Sequence, residues 1–352
     1  MQKIIKGISS LREALEHSTK VFLVCDSSFP YLNIKKNIEQ IDVQYVIFNQ
    51  FTPNPLYEDV CKGLELFQSS ECDTILTVGG GSGMDVAKCI KLYSNTKAKL
   101  IAVPTTAGTG SESTRYAVIY KEGIKQSVTD NNIIPDIAIL EPKVLKTLPL
   151  YQKKCTMMDA FCQGIESWWS VNSTDESKKL SKAAVETIMQ WWHEYIFEST
   201  DESADAIMNA ANLAGQAICI TQTTAPHAFS YKITSLYKLP HGHAVAVGLP
   251  EIWDYMIHHP ENCIDPRGCE YVTGVFTEIA HAMGATGIPE AIRQFREMMS
   301  SMELSSPTSG PDRASELELL SKSVNPVRLK NNPVQINEAA ALELYRSIVK
   351  AD

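Results

Sequence analysis

GGGSGMDVAK, residues 79–88, follows directly on the apolar run TILTV at 74–78. The run is strand-length and rich in β-branched residues, and helical periodicity begins after the glycines. Glycines let a backbone approach phosphates closely, and a helix starting near Ser82 offers free N–H groups at a positive dipole end. The pattern differs from the common GxGxxG fingerprint. The next apolar run, LIAVP at 100–104, leads into a second turn of small polar residues, PTTAGTGSE at 104–112. Two such turns at the carboxyl ends of neighbouring strands are where an open α/β sheet binds nucleotides. Gly80, Gly81, Ser82 and Asp85 of the first turn, with Thr105, Thr106, Thr109 and Ser111 of the second, are the candidate contacts. Asp26 closes an earlier strand, VFLVCD at 21–26. A carboxylate there accepts hydrogen bonds from an adenosine ribose and repels a 2′-phosphate, which favours NAD(H) over NADP(H).

Outward from that stretch, the first 150 residues alternate between strand and helix. VQYVIF (43–48) and IAIL (137–140) add two further strands, and LYEDVCKGLELF (56–67) and GMDVAKCIKLY (83–93) have helical spacing. The alternation predicts an α/β dinucleotide-binding domain with a parallel sheet over residues 1–150. Past LPLYQ the character changes. Helical periodicity dominates 153–220, 227–257 and 270–300, so residues 151–352 are expected to form an all-α domain. ELSSPTSGPDR (303–313) reads as a polar loop and 336–350 as a closing helix.

A chain of 352 residues exceeds what one core usually organises, in keeping with two domains. Its net charge of −9 argues against nucleic acid or an anionic membrane as partner, and leaves room for a small anionic substrate held by local cations. No apolar stretch reaches bilayer length, and MQKIIKGISS lacks the features of a signal peptide. Nine cysteines, scattered and with no CxxC pair, read as reduced thiols of a cytoplasmic protein.

A second constellation lies in the helical half. Asp159 and Gln163 stand four apart in MDAFCQGIE, one turn apart on the same helix face. His227 in TAPH and His241 in LPHG lie fourteen residues apart. An aspartate, an amide oxygen and two imidazoles can hold one divalent metal with a position left open for Lewis-acid catalysis. His243 could line such a site or face solvent. His17, His193, His258, His259 and His281 have no such context and read as structural or surface residues.

The ordered set PNP (53–55), GGGSGMDVAK, PTTAGTGSE, IIPDIAILEP (133–142), MDAFCQGIES (158–167) and HAFSYKITSLYKLPHGHAVAVGLP (227–250) resembles the iron-containing, group III alcohol dehydrogenases. The resemblance covers about Asp26 to Arg328. It implies the dehydroquinate-synthase-like fold, NAD(P) on the α/β domain with Asn54 joining the cofactor contacts, and a catalytic Fe2+ or Zn2+. Asp159, His227 and His241 match three of the family's four usual ligands. Gln163 stands where the family has a third histidine ligand, and Tyr231 where it has a further site histidine. Tyr231 and His243 are then the candidate proton donors.

DAFCQGIESWW, HAFSYKITSLYKLPHGHAVA and SVNPVRLKNNP (323–333) are narrower, and are similar to the phosphonoacetaldehyde reductase branch. Arg115, where the family more often has proline, with Lys232, Arg328 and Lys330, supplies cations for an anionic head group. The expected activity is metal-dependent reduction of phosphonoacetaldehyde to 2-hydroxyethylphosphonate, by a homodimer acting on small molecules alone. A general short-chain alcohol dehydrogenase and a dehydroquinate-synthase-like lyase are the alternatives.

Overall fold

Strands covered on both faces carry unbroken apolar runs, and residues 21–25, 75–78 and 100–103 are almost wholly buried. The computed structural model, which describes residues 2–351, sets these runs at the centre of a six-stranded parallel sheet. The strands of the chain are β1 Lys3–Lys6, β2 Lys20–Cys25, β3 Gln44–Phe48, β4 Thr74–Gly79, β5 Lys99–Pro104, β6 Tyr116–Lys121, β7 Ile124–Thr129 and β8 Ile137–Leu140. The sheet order is β1-β8-β5-β4-β2-β3. On one face, Phe22, Phe48, Val60, Phe67, Ile75, Val86 and Ile90 share a core between the sheet and the helices Tyr57–Ser70 and Gly81–Tyr93.

From β2 the chain moves outward to β3; from β4 it moves the other way to β5. The topological switch point therefore falls between β2 and β4, where an open α/β sheet has its binding crevice. Their register pairs Cys25 with Val78, which brings Asp26 beside Gly79. Asp26 and the glycine turn are thus neighbours although more than fifty residues separate them.

Two elements escaped the periodicity reading. β1 is a short edge strand, KIIK, largely exposed, that pairs with β8. β6 and β7 form a separate antiparallel hairpin, turned by Glu122 and Gly123, both at positive φ. Such a pair is the normal hairpin turn, but IKQSVT in β7 faces solvent and carries little apolar signal.

The chain divides into two units. The first contains the chain through Pro149 and also Phe197–Gly215; the second contains Leu150–Ile196 and everything from Gln216 onward. The helix Asp201–Thr221 therefore begins in the first unit, in a region the sequence assigns to the helical domain. Its contacts explain this. Asn212 donates to Glu112 Oε1 (3.0 Å) and Ser113 Oγ (2.7 Å), and Lys6 pairs with Asp205 at 2.9 Å. Gly215 backs onto Gly110, which has φ +60°; a Cβ on Gly110 would lie 2.4 Å from the Gly215 Cα. This helix holds the second glycine-containing turn from behind.

The second unit is helical, and among the described residues it contains isolated bridges but no strand. No disulfide joins the described cysteines. No helix among the described residues is long and apolar enough to cross a membrane.

Inside the first unit, Lys88 is completely buried. Its ammonium donates to Ser111 Oγ, the Thr114 carbonyl and hydroxyl, and the Tyr116 carbonyl, at 2.8 to 3.1 Å. Three donors matched to a ring of oxygens offset the cost of burying the charge. This pins the glycine-turn helix to the strand that follows the second turn. Lys88→Met should leave those oxygens without a donor and destabilise the fold by roughly 3 kcal/mol. A thermal melt of the variant within about 2 °C of wild type would show that the ammonium contributes no net stability.

Candidate active site

The glycine-lined cradle at the switch point is built by close approach. A Cβ on Gly79 would lie 3.0 Å from Asp26 Oδ2, one on Gly81 3.0 Å from Thr109 Cγ2, and one on Gly80 3.5 Å from Thr106. A side chain at Gly79 or Gly81 would press on Asp26 or Thr109, whereas one at Gly80 would meet Thr106 at ordinary van der Waals distance. Asn54, at φ 59°, donates its backbone N–H to the Ser82 hydroxyl oxygen at 3.3 Å. Asp26 is shaped by its own loop: Oδ1 accepts from Ser28 N (2.8 Å) and Ser28 Oγ (2.5 Å). Asp26, Asn54, Gly80, Gly81, Ser82, Thr106 and Thr109 therefore meet at the switch point.

Three other candidates point inward. Thr105 is buried, and its N–H bonds the Gly79 carbonyl. Asp85 accepts from Ser111 Oγ at 3.0 Å and Val118 N at 3.1 Å, which ties both Asp85 and Ser111 into the Lys88 network. Burial pushes the Asp85 carboxyl up to about 6, against the pull of Lys88 and those hydrogen bonds.

The second unit holds the metal candidates. The helix Leu150–Trp169 has sixteen of its twenty residues buried, so it is a core helix covered nearly all round. Asp159, Gln163 and Glu166 occupy one stripe of it at i, i+4 and i+7. The helix Ala225–Tyr237 carries His227 in its first turn and Tyr231 one turn later. It stops at Lys238, whose φ is 58°, and a short helix, His241–Ala246, starts after Pro240. Gly242 lets this short helix press against the long one. A Cβ there would lie 2.0 Å from the Cys155 carbonyl oxygen and 2.8 Å from the Asp159 Cβ. That contact sets His241 beside Asp159.

One ligand atom from each of Asp159, His227 and His241 lies within 4.8 Å of the others. The two imidazole rings are 5.2 Å apart. Glu166, absent from the sequence reading, organises them. It is fully buried and accepts from Thr224 N (2.8 Å), Thr224 Oγ1 (3.0 Å), His227 N (3.4 Å) and His227 Nδ1 (2.5 Å). A proton on Nδ1, directed at Glu166, leaves the Nε2 lone pair facing Asp159 Oδ1 at 3.3 Å.

These residues fit a metal. Two lone pairs facing each other in a dry site need a cation between them. Asp159 Oδ1 is buried and receives no well-directed hydrogen bond. Gln163, whose side chain bonds Asp159, leaves its own Oε1 buried with no donor on it. The titration behaviour agrees. Burial alone would raise Asp159, but His227 and His241 outweigh it and hold the carboxyl below its usual range. Burial would lower His227, but Glu166 and Asp159 lift it to about 9.

The remaining candidates separate. The Tyr231 ring stacks on His241, 6.0 Å between centroids and 18° between planes. Burial pushes its hydroxyl up, and Arg328, which bonds it, pulls the other way. Arg328 thus reaches the cluster. His243 is buried rather than solvent-facing: Nε2 donates to the Ser305 carbonyl (2.9 Å) and Nδ1 accepts from the Tyr151 hydroxyl (2.9 Å). Lys232 is five residues past His227, on another side of the helix, and Lys330 is exposed. Arg115, in the first unit, donates to the Tyr116 hydroxyl at 3.1 Å.

The sequence matches two family models in succession: "Iron-containing alcohol dehydrogenase" over residues 2–142 and "Fe-containing alcohol dehydrogenase family, C-terminal" over 154–349. The chain belongs to the iron-containing alcohol dehydrogenase family. Among relatives of this alcohol dehydrogenase family member, a phosphonoacetaldehyde reductase of Streptomyces viridochromogenes is 32% identical over 63% of this chain and 63% of its own length. That match therefore leaves more than a third of the reductase unaligned. A 1-propanol dehydrogenase of Salmonella typhimurium is 29% identical over 71% of this chain and 70% of its own. An iron-containing alcohol dehydrogenase structure from Thermococcus thioreducens superposes with a TM-score of 0.89 at 22% identity, covering 98% and 97% of the two chains. This last likeness concerns the fold.

Two substitutions test the cluster. Glu166→Gln keeps the size but removes the charge that backs His227, and should weaken metal binding by about ten- to a hundredfold. Gly242→Ala should displace His241 and leave the purified protein with little metal. Wild-type metal content in both variants, read by elemental analysis after dialysis against a chelator, would disprove this account of the cluster.

Proposed function

We propose that this chain is a metal-dependent NAD(H) oxidoreductase that reduces a small anionic aldehyde to its alcohol, phosphonoacetaldehyde to 2-hydroxyethylphosphonate being the first candidate. The observation that carries the reading is the cluster of buried Asp159 and His227 with half-buried His241, and with Glu166 behind it. It occurs in a chain that also builds a glycine-lined cradle at a topological switch point. When bound, a divalent Fe2+ or Zn2+ supplies Lewis-acid polarisation of the carbonyl, and the reduced nicotinamide supplies the hydride.

The chain's own part is to hold and orient. Asp159, His227 and His241 are the ligands, with Gln163 assisting through its amide oxygen. Nitrogen and oxygen donors of this kind suit both metals. Glu166 keeps the His227 proton on Nδ1 so that Nε2 stays available. Both nitrogens of His243 are engaged, so the proton needed at the product oxygen is assigned to the Tyr231 hydroxyl or to water. Asp26, with Oδ2 against Gly79, favours NAD(H), because a 2′-phosphate beside it would be a like-charge contact. The protein is expected to act as a cytoplasmic homodimer.

A neutral short-chain alcohol dehydrogenase is the second reading, and the 1-propanol dehydrogenase relative favours it. A lyase of the dehydroquinate-synthase type would need a denser set of basic groups than Arg328 provides at this cluster.

After reconstitution with Fe2+ or Zn2+, phosphonoacetaldehyde should drive oxidation of NADH faster than of NADPH, and faster than propanal does. Asp26→Gly should raise the NADPH to NADH ratio of kcat/KM at least tenfold. Wild-type preference for NADPH would remove the cofactor assignment, and equal kcat/KM for both aldehydes would favour the neutral dehydrogenase. Gln163→His should tighten metal binding; unchanged or weaker binding would take Gln163 out of the ligand set.

A further inference from the structure

We infer that Thr224 and Trp169 are positioning residues of the metal centre. With Glu166 they form a one-way chain of hydrogen bonds, Trp169 to Thr224 to Glu166, that holds the His227 ring with Nδ1–H on Glu166 and Nε2 turned toward Asp159. The inference rests on the metal-dependent reading for what Nε2 does, and on the geometry of the second unit for everything else.

Thr224 does not do what its place invites. It is the N-cap residue of the helix Ala225–Tyr237, yet its side chain makes no cap bond to that helix. A threonine there ordinarily accepts from a backbone N–H of the first turn. The hydroxyl turns instead to two side chains of the Leu150–Trp169 helix. Thr224 Oγ1 lies 2.8 Å from Trp169 Nε1 and 3.0 Å from Glu166 Oε2. All three side chains are buried.

Donor chemistry gives the chain its direction. An indole N–H can only donate, and a carboxylate can only accept. The hydroxyl between them therefore accepts from Trp169 and gives its one proton to Glu166. Turned the other way, it would set its proton against the indole proton and its lone pair against the carboxylate. In a site closed to water both contacts are costly, so the chain has one state.

That state aims Glu166. Oε2 receives Thr224 N (2.8 Å), Thr224 Oγ1 (3.0 Å) and His227 N (3.4 Å), which fixes the plane of the carboxylate. Oε1 is then directed at His227 Nδ1, 2.5 Å away. Because the carboxylate only accepts, the proton between them belongs to Nδ1, and Nε2 is the nitrogen left for a metal.

The two ends of the chain are held independently. The Trp169 ring packs edge-on against Trp253, 5.6 Å between centroids, and against Phe276, 5.8 Å. The turn before Thr224 is pinned through its carbonyls. Thr221 O accepts from Ser170 Oγ and Asn172 Nδ2, at 3.3 Å each, and Thr223 O accepts from Asn331 Nδ2 at 3.0 Å. With backbone and indole both fixed, the direction of the Thr224 O–H bond is decided by Trp169.

The test uses the full chain stripped of metal, then titrated with Co2+, whose absorption bands report affinity and geometry at the site. Proton NMR of the metal-free protein follows the downfield resonance of the His227 Nδ1 proton, assigned by its loss in His227→Gln. Thr224→Val should weaken Co2+ binding about tenfold and move that resonance, since Glu166 loses a donor and its fixed plane. Thr224→Ser, which restores the hydroxyl, should bring both back to wild type. Trp169→Phe should weaken Co2+ binding in the wild-type background and have no further effect once residue 224 is valine, because the indole acts through the hydroxyl. Should Thr224→Val not fold, the Thr224→Val/Trp169→Phe pair, which strands no indole N–H, takes its place. A Thr224→Val protein that melts lower but keeps wild-type Co2+ affinity and an unmoved resonance would overturn the assignment, as would losses that add in the paired variant. A wild type that binds no Co2+ while its resonance answers to residue 224 would defeat the metal reading and keep the chain. A wild type that binds Co2+ with affinity and resonance both indifferent to residue 224 would do the reverse.

Discussion

A carboxylate with no access to water must be met by donors, or its burial costs several kcal/mol. Glu166 is fully buried, and all four of its hydrogen bonds come from Thr224 and His227. The helix Ala225–Tyr237 has no side-chain cap of its own. Glu166 provides one from the neighbouring helix, placing negative charge where the helix dipole is positive. The same contacts determine which nitrogen of His227 carries the proton, and so which one is available to a metal. Helix capping, tautomer and ligand direction follow from one side chain. The position of His241 relies on it indirectly, since Gly242 packs on the helix that carries Glu166.

The first unit uses the opposite charge for the same purpose. Lys88 is as deeply buried as Glu166 and is met by oxygens as Glu166 is met by donors. Each buried charge joins a functional turn to a neighbouring element: the glycine turn to β6 in one unit, the His227 helix to the Leu150–Trp169 helix in the other. Neither is placed to touch a substrate. Each makes the local geometry unique, because moving the turn would strand an ion in an apolar interior.

Much of this was legible in the sequence, for physical reasons. Central strands are continuous apolar runs, and glycines at a strand-to-helix turn have few other uses. Asp159 and Gln163 announce themselves by spacing, and His227 and His241 by their prolines. Glu166 completes an i, i+4, i+7 stripe in the same quoted segment, and that stripe was the signal to follow. The spacing alone does not single it out, because an acidic residue in a helix is ordinarily a solvated one. The orientation of His243 is not legible in the sequence, because its partners, Tyr151 and Ser305, are some sixty to ninety residues away. β1 and the hairpin were hidden by exposure, since a strand that faces solvent need not be apolar. The packing of 197–215 with the first unit depends on Asn212 and Gly215, which have no periodicity to reveal it.

That last packing bears on how the chain is made. A ribosome delivers residues in order, and domains generally fold as units as they emerge. Here the order of synthesis and the order of completion differ. After the first 150 residues have emerged, β1 to β8 are all present, but the second glycine-containing turn still lacks its backing. Asn212 and Gly215 arrive only after a full helical hairpin of the other unit, Leu150–Ile196, has been synthesised. The nascent sheet must therefore wait, with Glu112 and Ser113 lacking their native amide partner, while a foreign segment passes. A chain that has released only its first 150 residues is complete in strands and incomplete in structure.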